Sequence, residues 1–178
     1  MNIFVVDEDP FKAAQSLCDA HVVKMIVESC QLLSTQDRLD GHNEDRYKMT
    51  HVNHPCRVCL INAWNRHWLK LHLLGLLEEY HYRYGKEHKC TQMFIELWAP
   101  GTTALVSLPR LWYNLTSFPQ CMPEEFKGSL PVPAELLPSI GLNVAAYRRY
   151  YRYKARTLKR FKYTKRQEPE WLKEGNEV

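Results

Sequence analysis

One segment constrains this chain more than any other: Asp19-Ala-His-Val-Val-Lys-Met-Ile-Val-Glu28, running on through Ser34. Read as a helix at about 100° per residue, it gathers Val22, Val23, Ile26, Val27, Cys30 and Leu33 on one face. His21, Lys24 and Glu28 fall within about 60° of one another on the opposite face, with Gln31 and Thr35 continuing the line. A helix that supplies core on one side and an acid, an imidazole and an amine on the other puts chemistry on a rigid element. The plain alternative is an i,i+4 surface pair of Lys24 and Glu28, contributing about 0.3 kcal/mol.

The flanking patterns extend the same logic. Asn2 to Val6 is short, apolar and extended, the core of an N-terminal arm over residues 1–9. Asp9 is placed to cap a helix with Pro10 at its first position. Residues 35–50 are polar and aperiodic, as a surface loop is. A second long helix is expected from Asn53-His54-Pro55 to Tyr84, stopped by Gly85, with Trp64, Trp68, Leu71, Leu74 and Leu77 inward. Its Arg57, Arg66, Lys70 and Glu78 would face outward. Seven of the ten prolines lie within residues 86–143, which excludes a long helix after Ala99 and predicts an irregular wrapping segment. Trp98, Trp112, Tyr113 and Phe118 would pin it. Asn143 is placed to cap a last helix over about 144–162, within a basic C-terminal region 144–166. The expected fold is all-α: a single domain over 1–178, a compact bundle of about three main helices.

Net charge is only +4, but residues 144–166 hold ten Lys or Arg and no acid. Tyr147, Tyr150, Tyr151, Leu158 and Phe161 form its apolar stripe, and Arg149, Arg152, Arg156, Lys159 and Arg160 spread over the other side. A solvated helix face usually interleaves acids at i,i+4. Their absence favours a polyanionic partner, and phosphate in particular. No apolar run approaches a membrane span, and the first residues do not read as a signal peptide. The cysteines are therefore expected to be reduced and the compartment cytoplasmic.

His51-Val-Asn53-His54-Pro-Cys56-Arg-Val-Cys59 invites a zinc reading, with two His and two Cys within nine residues. Zinc sites usually draw on two ligand pairs separated by a folded span, and four ligands packed around Pro55 would not converge on one ion. No metal and no cofactor are therefore expected. His51, Asn53 and His54 instead read as a polar rim at a helix start, suited to an anionic oxygen. No phosphate-cradling glycine loop and no Gly-x-Ser-x-Gly occur. The catalytic candidates reduce to Glu28, His21, Lys24, the histidine pair and an α-amine.

Taken in order, these pieces resemble the phage pyrimidine-dimer DNA glycosylase/AP-lyase family, the endonuclease V enzymes. In that family a short arm precedes a helix reading Asp-x-His, with the catalytic glutamate seven residues after the histidine, as in Asp19-Ala-His21 and Glu28. Met122-Pro-Glu-Glu-Phe-Lys-Gly128 is similar to a family stretch before the C-terminal region, and Pro169-Glu-Trp171 matches a Pro-x-Trp near its end. The resemblance implies that an amine attacks the sugar C1′, the base leaves, and a Schiff base forms that can eliminate the 3′ phosphate. Glu28 would stabilise the charge on the sugar. An α-amine suits the attack, since its ordinary pKa of about 8 leaves a neutral fraction that a lysine at about 10.4 lacks.

The chain departs from the family in three ways. Residue 2 is Asn, where the family exposes a small residue by removing the initiator Met. The nucleophile is thus expected to be the Met1 amine, or Lys24 if burial lowers its pKa. Val27 and Gln31 replace arginines flanking the glutamate, and the arm is longer. The expected catalytic set is Glu28, Met1, His21 and Lys24, with Asn2, Gln31, His51, Asn53 and His54 against the substrate. Lys127, Arg149, Arg152, Arg156, Lys159 and Arg160 would contact double-stranded DNA carrying a damaged or modified base, the protein acting as a monomer. Two other readings stay open: a phage-type enzyme acting on the glycosidic bond of an unusual base or nucleotide, and a non-catalytic DNA-binding protein.

Overall fold

A computed structural model of the chain describes residues 1–42, 47–98, 115–128 and 139–173. Its first helix, α1 (Pro10–Gln15), starts where local chemistry dictates. Asp9 stays extended, its carboxylate accepts from the amides of Phe11 (2.8 Å) and Lys12 (3.1 Å), and Pro10 fills the first position. The chain breaks at Cys18 and restarts as α2 (Asp19–Leu39), the Cys18 amide donating to Tyr151 Oη at 2.8 Å.

Helix α2 continues past Ser34, so residues 35–39 are helical rather than loop. The reason is tertiary. Thr35, Gln36 and Asp37 are buried, and Thr35 Oγ1 donates to the Thr50 carbonyl at 3.1 Å while accepting the Thr50 amide at 3.2 Å. Arg57, expected outside, is buried here too and donates to the Val52 carbonyl and to Gln36.

The second long helix is not continuous. A short α3 (Pro55–Val58) and a 3₁₀ turn (Cys59–Ile61) precede α4 (Ala63–Tyr84). Asn62 interrupts the periodicity because its side chain prefers to cap, accepting from Trp64 N (2.8 Å) and Asn65 N (3.2 Å). Gly85 ends α4 at φ 65°, the left-handed conformation expected of a C-terminal glycine. Within the proline-rich region, α5 (Thr91–Trp98) forms before the first of its prolines. Phe118 is buried against Trp68 at a centroid distance of 5.1 Å. Trp112 and Tyr113 lie outside the described residues.

The last long helix, α6, spans Ser139–Thr157, so it starts and ends earlier than expected. Asn143 is not its cap. It lies inside the helix, fully buried, and its amide nitrogen donates to the Phe118 carbonyl at 2.6 Å while its oxygen accepts from Phe118 N at 3.2 Å. After Thr157 the chain turns back to the start of α2. Lys162 O accepts the Asp19 amide at 2.9 Å, and Thr164 donates to both Asp19 oxygens. A short α7 (Glu170–Lys173) buries Trp171 and Leu172 beside α6.

The fold is all-α, and no strand occurs among the described residues. Helix α4 packs along α1 and α2, and Trp68, Leu69, Leu73 and Leu76 share one buried core with Val22, Met25, Ile26 and Leu33. The arm residues Ile3 to Val6 are buried in the same core. Val23, expected inside, is 39% exposed and Val27 half-buried, because the apolar face of α2 is centred on Val22, Met25 and Ile26. No described helix is long and apolar enough to cross a membrane.

Gly75 shows how tightly α1 sits on α4. A Cβ there would lie 3.1 Å from Ala14 Cβ and 3.3 Å from the backbone of Phe11. Gly75→Ala gains about 1 kcal/mol of helix propensity but forces a whole helix outward. Against the roughly 1–3 kcal/mol that overpacking costs, we expect a net loss of about 0–2 kcal/mol in urea unfolding.

Candidate active site

The site forms where the arm crosses α2. Ile3 to Val6 are apolar and anchor the arm, which leaves residues 1 and 2 at the side of α2 one turn above Lys24. The amide of Asn2 donates to Glu28 Oε2 at 3.0 Å, and Lys24 Nζ holds Oε1 at 3.2 Å. Asn2 is fixed by its own side chain, which donates to the Cys121 carbonyl at 2.8 Å and accepts from the Ile3 amide at 2.8 Å. The Glu28 side chain is 13% exposed and that of Lys24 65%. Glu28 thus stands at the mouth of the site with a solvent-facing cation on one oxygen and the arm on the other. Lys24 lacks the burial that its use as a nucleophile called for.

Around this pair the expected rim is partly assembled. His54 is half-buried, and its Nδ1 accepts the Cys56 amide at 3.1 Å. Burial, the terminal ammonium and His51 all push its pKa below the ordinary value, and the Glu28 carboxylate opposes them. These four groups therefore share one electrostatic neighbourhood. His51 is exposed at φ 52°, its ring 6.2 Å from that of His54 and its Nδ1 2.6 Å from Thr50 Oγ1. Asn53 is exposed, and Gln31 is half-buried one turn beyond Glu28.

His21 points where the helical wheel puts it but is buried rather than exposed. It shares the azimuth of Glu28 two turns lower, but there the arm and α6 cover the helix. The ring is 7% exposed, stacked on Phe4 at 4.6 Å, with Nδ1 2.8 Å from Tyr151 Oη. Tyr151 accepts the Cys18 amide and keeps its hydroxyl proton available to His21 Nδ1, a pairing that suits a neutral ring. Burial first, then the charges of Lys154 and Lys24, lower its pKa to about 4. The ring ties the arm to α6 through Phe4 and Tyr151. Phe4 itself has φ 23°, a strained backbone for an aromatic residue.

The same burial makes stability pH-dependent. His72 lies fully buried and stacked on Trp68 at 5.1 Å, neither ring nitrogen bonded among the described residues, and its pKa falls to about 3. Unfolded imidazoles titrate near 6.5, so between about pH 6.5 and 4 the unfolded chain binds more protons. Stability is full above this window and declines as pH falls through it. The urea midpoint should drop between about pH 7 and 5, less steeply in His72→Phe, which should also be no less stable near neutrality.

The basic residues do not form one free surface. Arg149 is exposed and reaches the Phe126 carbonyl at 3.1 Å, and Arg156, Lys159 and Arg160 are exposed, the last two beyond the end of α6. Arg152 is half-buried and donates twice to the Trp171 carbonyl, at 3.0 and 2.7 Å, which makes it a structural tie. Lys127 is exposed but paired with Glu124 at 2.7 Å. Three contributors escaped the sequence reading. Tyr151 and Arg148 seat the arm, Arg148 through the Val6 carbonyl (2.8 Å) and Asp7 (3.1 Å), and Cys121 holds Asn2. Tyr151 reads from the sequence as one more member of an apolar stripe, and nothing local distinguishes Arg148 or Cys121.

No curated protein and no solved structure matches the chain significantly. A sequence model of one family, described as pyrimidine dimer DNA glycosylase, matches residues 1–96, which include the arm, α2 and α4. With more than half its length matched, the chain belongs to the pyrimidine dimer DNA glycosylase family.

Proposed function

We propose that the protein excises a damaged pyrimidine from double-stranded DNA, with Glu28 and the α-amine of the arm as the reacting groups. The contact of the residue 2 nitrogen with Glu28 Oε2 at 3.0 Å carries this reading. It brings the beginning of the chain to a carboxylate that α2 holds at the protein surface. The amine is that of Met1, or that of Asn2 where Met1 is removed. Its nitrogen attacks C1′ as the bond from C1′ to the base breaks, and the base leaves with the electron pair. Glu28 stabilises the positive charge that develops on the sugar and takes the proton the amine loses. Ring opening then gives the Schiff base from which the 3′ phosphate is eliminated.

The target must leave the stack, and its backbone needs cationic contacts. Of the exposed bases, which also include Arg156, the three candidates are Arg149, Lys159 and Arg160, and Lys127 joins them once Glu124 is displaced. Replacing the three together should weaken duplex binding evenly across sequences and cut the salt slope by about 0.9 per lost phosphate contact. The direct test is incubation with UV-irradiated, hydroxymethyluracil-containing and undamaged duplexes, followed by analysis for free base and strand breaks. Cleavage confined to the irradiated duplex is expected. Release only from the modified duplex would transfer the activity to an unusual base, and no product from any would leave DNA binding alone.

A further inference from the structure

The histidine–cysteine stretch that begins α3 does not hold four ligands of its own, but the fold brings it a ligand from far along the chain. A ring nitrogen of His54 and the thiols of Cys56 and Cys121 all lie within 4.8 Å of one another. The two sulfurs are 3.5 Å apart and come from positions 65 residues distant. Tetrahedral zinc with bonds of about 2.3 Å holds two thiolate sulfurs roughly 3.8 Å apart, whereas a disulfide requires about 2.05 Å. The sulfur separation fits the metal with little movement, and the His54 ring has to close by about 1 Å to complete the tetrahedral edge. Cys56 is fully buried, while His54 and Cys121 are half-buried. Three protein ligands with an accessible side leave the fourth position to water. Cys59 is not part of the cluster, its thiol donating to the Cys56 carbonyl at 3.2 Å, and His51 bonds Thr50 instead.

We infer that His54, Cys56 and Cys121 form a Zn²⁺ site that clamps the 115–128 segment to the start of α3. Binding converts both thiols to thiolates, their two protons passing to solvent. His54 binds as the neutral ring and gives up the hydrogen bond its Nδ1 accepts from the Cys56 amide, since a neutral imidazole has one acceptor nitrogen. The consequence reaches the arm, because the carbonyl of Cys121 is the acceptor that fixes Asn2. The metal would thereby set the position of the residue that contacts Glu28, without itself taking part in the reaction.

The test uses the full chain, reduced, stripped with a chelator and titrated with Co²⁺. About one equivalent should bind, giving a near-ultraviolet thiolate-to-cobalt band and tetrahedral visible bands, all removed by Zn²⁺. Cys121→Ser should halve the thiolate band, whereas Cys59→Ser and His51→Ala should leave it whole. In the unaltered protein, Zn²⁺ should also block alkylation of Cys121 by iodoacetamide, a readout that needs no variant to fold. Absence of the thiolate band from natively folded protein, or its persistence at full strength in Cys121→Ser, would overturn the site. So would a Cys56–Cys121 disulfide that forms in air as readily with Zn²⁺ as without.

Discussion

Glu28→Gln should reduce base release by about 10²–10³-fold, the usual cost of removing a group that stabilises transition-state charge. Duplex binding should not change, since Glu28 is an anion and supplies no cationic contact to phosphate. The substitution is nearly isosteric. A glutamine oxygen still accepts the Asn2 amide, which Glu28 Oε2 now holds at 3.0 Å. What is lost structurally is the pair with Lys24, whose side chain is 65% exposed, so screening leaves it worth about 0.3–0.5 kcal/mol. Strand cleavage of irradiated duplex, or free base after photochemical reversal of the dimer, beside a binding isotherm and an unfolding curve, separates the three quantities. Unaltered release would remove Glu28 from the reaction. Lost binding would make it a contact to DNA instead.

Arg83→Ala should be the most damaging change to the fold. Arg83 is buried on α4 and donates to Glu79 (2.9 Å), to Asp19 (3.1 Å) and to the Gln15 carbonyl (3.2 Å). Glu79 is also bound by Arg166, and Asp19 by Thr164, so this one guanidinium joins α1, α2 and α4 to the returning C-terminal segment. Burial pushes the Asp19 carboxyl up, but hydrogen bonds from Thr164 and Arg83 together outweigh it and hold the pKa below the ordinary range. Removing Arg83 leaves two buried carboxylates short of a partner, a loss of about 3–5 kcal/mol and roughly ten degrees of Tm. Adding Glu79→Gln to Arg83→Ala should recover part of this by deleting one uncompensated charge. Equal loss in both variants would trace the effect to packing alone.

What could be read beforehand follows the range of each interaction. The Asp9–Pro10 start and the Gly85 stop were legible because caps are settled by neighbouring residues. The outward placing of Glu28 followed from helical spacing. His21 obeys the same spacing and is nevertheless buried, since a wheel gives a direction but not the arm that lies across it. Asn62 and Asn143 show the ambiguity of one residue type. Asn62 caps a helix where the hydrophobic period ran on unbroken, and Asn143 spends its amide on Phe118 where a cap was expected. Arg152 had the spacing of a phosphate ligand but binds the Trp171 carbonyl. Cys121 completes the cluster with His54 and Cys56 only through the fold, so a local zinc motif was sought in vain.

The central claim is that the amine beginning the arm is the nucleophile beside Glu28. Borohydride reduction during reaction with UV-irradiated duplex, followed by proteolysis and mass spectrometry of the trapped peptide, reads it directly. A covalent adduct confined to the N-terminal peptide, on the α-nitrogen of Met1 or of Asn2, is expected. An adduct on Lys24, or base release with no trapped species, would contradict it.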